Sequence, residues 1–325
     1  MRPSPAKPPA SGDGAAMSEE TPITADRLRR MPLPQPDGDG DKETRGRVLV
    51  IAGSATVPGG ALLAGIGALR AGAGKLQVAT AASVAPHLAL ALPEALVAGL
   101  AETPDGGIAA DSAESLADRA SRCDTVLIGP GMMDEPAVAA LTAELLTRLA
   151  PADLDGDPAG DGPRFVLDAA ALTGLGRDPT PLHRHGGRVI ITPHAGEMAA
   201  LLGCDRKAVD ADPLGAARQA AAWLRVVVAL KGGCTRIVTP EGEAWAYRDG
   251  TIGLATSGSG DTLAGIVAGL LARGASPLQA AIWGVFLHGE AGNRLSRRIG
   301  PLGFLARELL AEIPAAMAAL SPPAE

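Results

Sequence analysis

Short, wholly apolar runs that alternate with helix-periodic stretches constrain this chain more than any other feature. Val48-Leu49-Val50-Ile51-Ala52 is the first such run. It has no polar member and ends at Gly53-Ser54, which predicts a strand buried on both faces and feeding a loop. Gly59 to Ala71 then has helical character, and Lys75-Leu76-Gln77-Val78-Ala79-Thr80 resumes as a strand, completing a β-α-β unit. Further strands are expected at Leu96-Val97-Ala98, Thr125-Val126-Leu127-Ile128, Arg164-Phe165-Val166-Leu167, Val189-Ile190-Ile191 and Val226-Val227-Val228-Ala229-Leu230, most of them separated by helical patterns. This alternation specifies an α/β fold with a doubly wound, mostly parallel sheet and helices on both faces, whose ligands lie beyond the carboxyl ends of the strands. Pro240-Glu241-Gly242 turns between Thr235-Arg236-Ile237-Val238 and Ala244-Trp245-Ala246-Tyr247, so an antiparallel hairpin is expected at the sheet edge. Two helices, about Pro277 to Arg297 and Gly303 to Leu320, close the layer.

The 325 residues, 46% of them hydrophobic, supply core enough for one large domain or two small ones. Pro151 to Pro163, dense in Asp, Gly and Pro, reads as a surface loop and not as a boundary, so residues 46–325 are expected to form one domain. Residues 1–45 show no period and hold no apolar run, which predicts a disordered tail. Deleting residues 1–40 is then expected to leave stability and activity nearly unchanged. Arg29-Arg30 does not open a twin-arginine signal, because Met31-Pro32-Leu33-Pro34-Gln35-Pro36 follows where a continuous apolar segment is required. A net charge of -7 and 2% aromatic residues argue against nucleic acid, and no stretch is suited to span a membrane. Cys123, Cys204 and Cys234 are odd in number and far apart, which suits a reducing cytoplasm better than a disulfide framework.

Polar motifs follow the strands. Gly129-Pro130-Gly131 comes after Ile128, Asp168 after Leu167, Thr192-Pro193-His194-Ala195-Gly196-Glu197 after Ile191, and Lys231-Gly232-Gly233-Cys234-Thr235 after Leu230. The opening loop, Gly53 to Gly60, lacks both the dinucleotide spacing and a Walker lysine. The most telling stretch is Ala255-Thr256-Ser257-Gly258-Ser259-Gly260-Asp261, a glycine-rich turn that runs into a helix with Leu263, Ile266, Val267, Leu270 and Leu271 on one face. Its backbone N–H groups suit a phosphate, with the helix dipole adding to the attraction. A carboxylate at Asp261 repels a resting phosphate, so it reads either as a helix cap or as a base for a hydroxyl that attacks that phosphate.

Together these segments resemble the ribokinase-like superfamily, and within it the carbohydrate-kinase-related branch of NAD(P)H-hydrate dehydratases. The likeness covers about Gly46 to Leu320. It is carried by Gly53-Ser54 with Pro58-Gly59-Gly60, Ala68-Leu69-Arg70-Ala71-Gly72-Ala73-Gly74, Leu167-Asp168, Leu230-Lys231-Gly232-Gly233 and the motifs above. The resemblance implies a ribokinase-like fold and a repair enzyme, a lyase, that dehydrates the S epimer of NADH or NADPH hydrate at the expense of ADP. By the same resemblance Asp261 would take the proton of the ring hydroxyl as it attacks the terminal phosphate, and Gly258, Ser259 and Gly260 would form the anion hole. Gly60, Gly131, His194 and Asp261 match positions that contact the hydrated dinucleotide. Lys231, Gly232, Gly233, Cys234 and Thr235, with Gly260, match those around AMP.

Glu197 occupies the place of an acid near Mg2+ in related kinases, directly or through water. The family also implies a homo-oligomer, such as a homotetramer, and a separate NAD(P)H-hydrate epimerase as functional partner. Each residue has a plainer reading: His194 can close a strand end, Lys231 can be a solvated lysine, and Glu197 can be an ordinary helix-start acid. Two departures stand out, Gly59-Gly60 where the family most often has Gly-Ala, and Asp168-Ala169-Ala170 where Asp-Ala-Asp is common. Competing readings are a small-molecule kinase of the hydroxymethylpyrimidine or thiazole type and a non-catalytic nucleotide-binding protein. The first shares the Gly258–Asp261 loop; the second has no use for Asp261.

Overall fold

The computed structural model describes residues 20–35, 45–151 and 162–320. From the N-terminus come β1 (Thr21–Pro22), α1 (Ala25–Arg29), β2 (Arg47–Ile51), α2 (Gly59–Arg70), β3 (Lys75–Ala81), α3 (Ala85–Ala91) and β4 (Ala95–Leu100). Then follow α4 (Ala113–Ala120), β5 (Thr125–Ile128), α5 (Glu135–Arg148), β6 (Arg164–Leu167), α6 (Thr180–His183), β7 (Val189–Ile191), α7 (Ala195–Leu202), α8 (Arg206–Ala211) and α9 (Pro213–Leu224). The chain closes with β8 (Val227–Leu230), β9 (Thr235–Val238), β10 (Ala244–Tyr247), α10 (Ser259–Ala272), α11 (Pro277–Arg298) and α12 (Ala306–Ala318).

The strands form one sheet in the order β1-β10-β9-β8-β7-β6-β5-β2-β3-β4. Pairing is parallel from β8 to β4, and β9 runs antiparallel to both β8 and β10. Each central strand feeds two cores. Val48 and Val50 pack with α2, α10 and α11 on one face, while Leu49 and Ile51 pack with α5, α7 and α9 on the other. Burial on both faces is the physical reason why these strands carry no polar alternation. Strand order reverses between β2 and β5, so the crevice at their carboxyl ends is the topological switch point, where doubly wound sheets bind ligands.

Residues 20–35 overturn the expectation of a disordered tail through residue 45. β1 pairs in parallel with β10 and takes the sheet edge, so the hairpin expected there lies one strand further in. Ile23, Leu28 and Leu33 are buried in the core shared with α10 and α11. Backbone carbonyls of the same segment accept hydrogen bonds from distant side chains: Trp283 Nε1 reaches Met31 O at 2.8 Å, Gln279 Nε2 reaches Pro32 O at 2.8 Å, and Arg273 reaches Pro34 O at 2.9 Å. The segment shows no period because its three anchors are isolated residues, and the partners it bonds, in β10, at the end of α10 and in α11, come from the other end of the chain. The parts of the tail at 1–19 and 36–44, and most of the loop expected at Pro151 to Pro163, lie outside the described residues.

Helices α2 and α10 pack unusually closely, which fixes where the N-terminus of α10 points. A Cβ built at Gly265 would lie 2.2 Å from the Ala64 carbonyl oxygen, and one at Gly269 would lie 2.3 Å from that of Ala68. Both neighbours are backbone, so neither can rotate away. Gly265→Ala is therefore expected to force the helices apart and cost about 1–3 kcal/mol, read as a lower melting temperature. An unchanged melting temperature would show that α10 is free to shift.

Candidate active site

The turn before α10 is built around Gly258, whose φ of +83° is a left-handed conformation that a Cβ would strain. Ser259 N–H bonds Thr256 O at 3.2 Å, and both the amide and the hydroxyl of Thr262 bond Gly258 O at 3.0 Å. These bonds leave the amides of Gly260 and Asp261 at a helix N-terminus, where they have no acceptor within the helix. Of the positions expected to form an anion hole, Gly258 sets the turn, Ser259 spends its amide on Thr256 O, and Gly260 keeps its amide free of a helix acceptor.

Lys231 comes to this loop from the end of β8. Its Nζ would be only 3.4 Å from a Cβ placed at Gly260. The ammonium donates to Asp168 Oδ1 at 2.7 Å and lies 3.9 Å from Glu197 Oε2. Asp168 Oδ1 also accepts from Thr192 Oγ1 at 2.6 Å. Three strand ends, those of β6, β7 and β8, thus converge on one buried carboxylate, and Lys231 N–H ties two of them further by bonding Pro193 O at 2.8 Å. Burial alone would depress the Lys231 pKa, but the combined charges of Asp168, Glu197 and Asp261 outweigh it and hold the pKa raised. Lys231 therefore stays a cation beside the anion site. Asp261 responds in the opposite sense: burial first, then the nearby Asp168 charge, push its carboxyl up to about 6, with Lys231 opposing. A carboxylate tuned in this way is a better base than an exposed helix cap.

The backbone around Asp168 is held as firmly as its side chain. A Cβ on Gly129, whose φ is +125°, would fall 1.8 Å from Asp168 O, so only glycine lets the β5 loop reach β6. Ala169 sits at φ +49°, an uncommon left-handed position for a residue with a Cβ. Ala170, where a second carboxylate is absent, packs half-buried against the apolar core beneath α5 and α7. Gly60 and Gly131 meet across the switch-point crevice, since a Cβ on Gly60 would lie 2.6 Å from Gly131 N. The two positions expected to face one ligand are thus neighbours.

His194 is the N-cap of α7. Its Nδ1 accepts from Gly196 N–H at 3.0 Å and Glu197 N–H at 3.1 Å, while Glu197 Oε2 accepts from His194 N–H at 2.7 Å. With Nδ1 accepting, Nε2 carries the proton, and it lies 3.4 Å from Glu197 Oε1. The ring is 59% exposed, so capping does not bury it. Gly232 and Gly233 are exposed in the turn between β8 and β9, Cys234 is half-buried with its thiol pKa raised by burial, and Thr235 opens β9. Within this stretch Lys231 is the residue whose side chain meets the anion loop.

Glu197 is committed on both oxygens, and no group of three His, Cys, Asp or Glu side chains among the described residues is placed to hold a metal ion. Two site residues escaped the sequence reading. Asp168 was seen as a motif and not as the partner of Lys231. His288, from α11, places Nε2 2.9 Å from Ser259 Oγ. Its only sequence signal is a polar residue on a helix face otherwise lined by Ala281, Val285, Gly292 and Leu295.

The fold is that of the ribokinase-like enzymes, and the site sets a carboxylate in a glycine-rich turn beside a lysine. The family profile described as NAD(P)H-hydrate dehydratase matches residues 48–315. The ADP-dependent (S)-NAD(P)H-hydrate dehydratase of Xanthomonas campestris is 49% identical over 292 residues, which cover 90% of this chain and 94% of that one. Among solved structures, the ADP/ATP-dependent NAD(P)H-hydrate dehydratase of Bacillus subtilis, co-crystallised with ATP/Mg2+, superposes with a TM-score of 0.74 at 29% identity, covering 94% of this chain and 100% of that one. A ribokinase-like superfamily protein of Enterococcus faecalis, at 24% identity, shares the fold with a TM-score of 0.75, covering 96% of this chain and 100% of that one. The chain belongs to the NAD(P)H-hydrate dehydratase family.

Proposed function

We propose that this chain dehydrates the S epimer of NADH or NADPH hydrate with ADP as co-substrate, and that Asp261 is the base. The observation that carries this reading is a half-buried carboxylate in the first turn of α10, its pKa raised by burial and by Asp168, with the Lys231 ammonium reaching the same turn. Hydroxide is a poor leaving group and phosphate a good one, so phosphorylation comes first. Asp261 takes the C6 hydroxyl proton as that oxygen bonds to the terminal phosphorus of ADP and the bond to the AMP oxygen breaks. The amides of Gly260 and Asp261, left without an acceptor in the helix, stabilise the charge on the transferring group together with the Lys231 ammonium. The ring nitrogen lone pair then expels phosphate from C6, and loss of a C5 proton restores the double bond. The products are NAD(P)H, AMP and phosphate.

The carboxylates do not form a metal cage. Glu197 would hold a hydrated magnesium ion through water, and such an ion would offset phosphate charge. C6 is a stereocentre, so one epimer fits the site and an epimerase supplies it from the other. We place the reaction in the cytoplasm, in keeping with the free thiols of Cys123, Cys204 and Cys234. A homo-oligomer, such as a tetramer, is favoured by the exposed Ile252, Ile299, Leu302 and Leu305 around the turn between α11 and α12. The direct test is recovery of dihydronicotinamide absorbance from NADH hydrate when ADP or ATP is supplied. No recovery with either nucleotide would sink this reading.

Lys231 and His194 divide the site. Lys231→Ala is expected to weaken nucleotide binding by about 1.5–3 kcal/mol, roughly ten- to a hundredfold, and to affect the hydrated dinucleotide far less. His194→Ala should do the reverse, and should also lower stability by about 1 kcal/mol because it removes the cap of α7. Calorimetry with each ligand separates the two effects. Equal losses for both ligands in both variants would mean that the residues only support the fold.

A further inference from the structure

We propose that His288 is a positioning residue for the reaction: by bonding the Ser259 hydroxyl it fixes the first turn of α10, and with it the anion-binding amides and Asp261. The inference rests on the dehydratase reading above. Packing on α2 fixes the axis of α10, but few side chains of its first turn can hold the loop itself. Gly258 and Gly260 have no side chains, and Ser259 is the residue between them that has one. The Thr262 hydroxyl is spent on Gly258 O and so bonds within the turn. Ser259 is buried at 5% exposure, and the partner of its hydroxyl is His288 Nε2 at 2.9 Å. A flexible glycine pair is thus tethered at its midpoint to α11, a 22-residue helix whose other inward residues are packed in the core.

The chemistry of the tether suits its place. Burial pushes the His288 pKa down to about 4, with the Lys231 charge adding to the effect, so the ring is neutral at physiological pH. A neutral imidazole anchors a hydroxyl without adding a charge beside Lys231 or competing with it for the phosphate. What the tether supplies is geometry. Donors aimed at a transferring phosphoryl group act only if they are already in place, and a displacement of about 1 Å can cost on the order of a hundredfold in rate.

The test compares His288→Leu, His288→Gln, Ser259→Ala and the double variant His288→Leu with Ser259→Ala in the full chain. His288→Leu is expected to lower kcat by roughly ten- to fiftyfold with KM for ADP changed by less than about threefold. His288→Gln, whose amide nitrogen can occupy the Nε2 position, should recover most of that loss. The double variant should be no slower than either single variant, because both remove the same bond. A kcat for His288→Leu within about twofold of wild type, a glutamine variant as slow as the leucine one, or single losses that multiply in the double variant would each overturn the proposal. If His288→Leu fails to fold, Ser259→Ala breaks the same bond without refilling the core, and its kcat decides. Should the wild-type protein dehydrate nothing, the dehydratase reading fails, and the tether is judged by the order of the turn alone. His288→Leu and Ser259→Ala should then speed hydrogen exchange at the amides of residues 259–262, and unchanged protection there would overturn the proposal.

Discussion

Asp261→Asn is expected to bind nucleotide about as well as the wild-type protein and to turn over at least ~100-fold more slowly. The amide keeps the shape of the carboxylate and its place in the first turn of α10, but it cannot take a proton. Burial and the neighbouring Asp168 raise the Asp261 carboxyl to about 6, so the wild-type kcat should fall with acidification below about pH 6, as the base is lost. The variant should lack that limb of the profile. Stability should move the other way. A carboxyl whose native pKa lies above its unfolded value of 3.8 favours the protonated native state, so its contribution is fully present below pH 3.8 and declines as pH rises through about 6. Above that window the wild-type protein bears the cost of an ionised, partly buried carboxylate. Asparagine removes this cost, so the variant should be more stable at pH 7–8 by about 1–3 kcal/mol, trimmed where Lys231 loses a nearby charge. A variant that turns over near the wild-type rate would make Asp261 a cap. One that loses nucleotide binding or melts earlier would place its role in the fold.

Removing residues 1–35 should lower the melting temperature by about 6 °C or more, equivalent to about 3 kcal/mol in a domain of this size. Ile23, Leu28 and Leu33 each contribute roughly 1.5–3 kcal/mol of apolar burial, part of it offset by the entropy of ordering the segment. Their loss also uncovers Trp283, which is fully buried, and frees the side chains of Gln279 and Arg273 that the segment engages. Glu20, next to β1, pairs with Arg236 at 2.6 Å and with Arg248, so the segment also braces the hairpin that follows the Lys231 turn. Leu28→Ala alone should reproduce part of the loss, about 2 kcal/mol, unless the whole segment lifts off at less than that. A truncated protein with wild-type melting would mean that the segment docks without contributing.

The likeness to a ribokinase-like sheet was legible residue by residue wherever the signal was local. A strand buried on both faces must be apolar throughout, and a turn that offers amides to an anion must be rich in glycine, so β2, β5 to β8 and the Gly258–Asp261 loop could be read from neighbouring residues alone. Asp261 was singled out by the same logic, as an acid where a phosphate site would not want one. Tertiary structure decided whatever depends on partners distant in sequence. Asp168 and Lys231 are 63 residues apart, and only the parallel order of β6, β7 and β8 makes them a pair. The raised pKa of Asp261 comes from burial first and then from the Asp168 charge, with Lys231 opposing, and none of these is written in the loop. His288 reads as a misplaced polar residue until α11 sets it against Ser259. Residues 20–35 carry three scattered anchors and no period, and the surface that buries them is built by helices about 250 residues later.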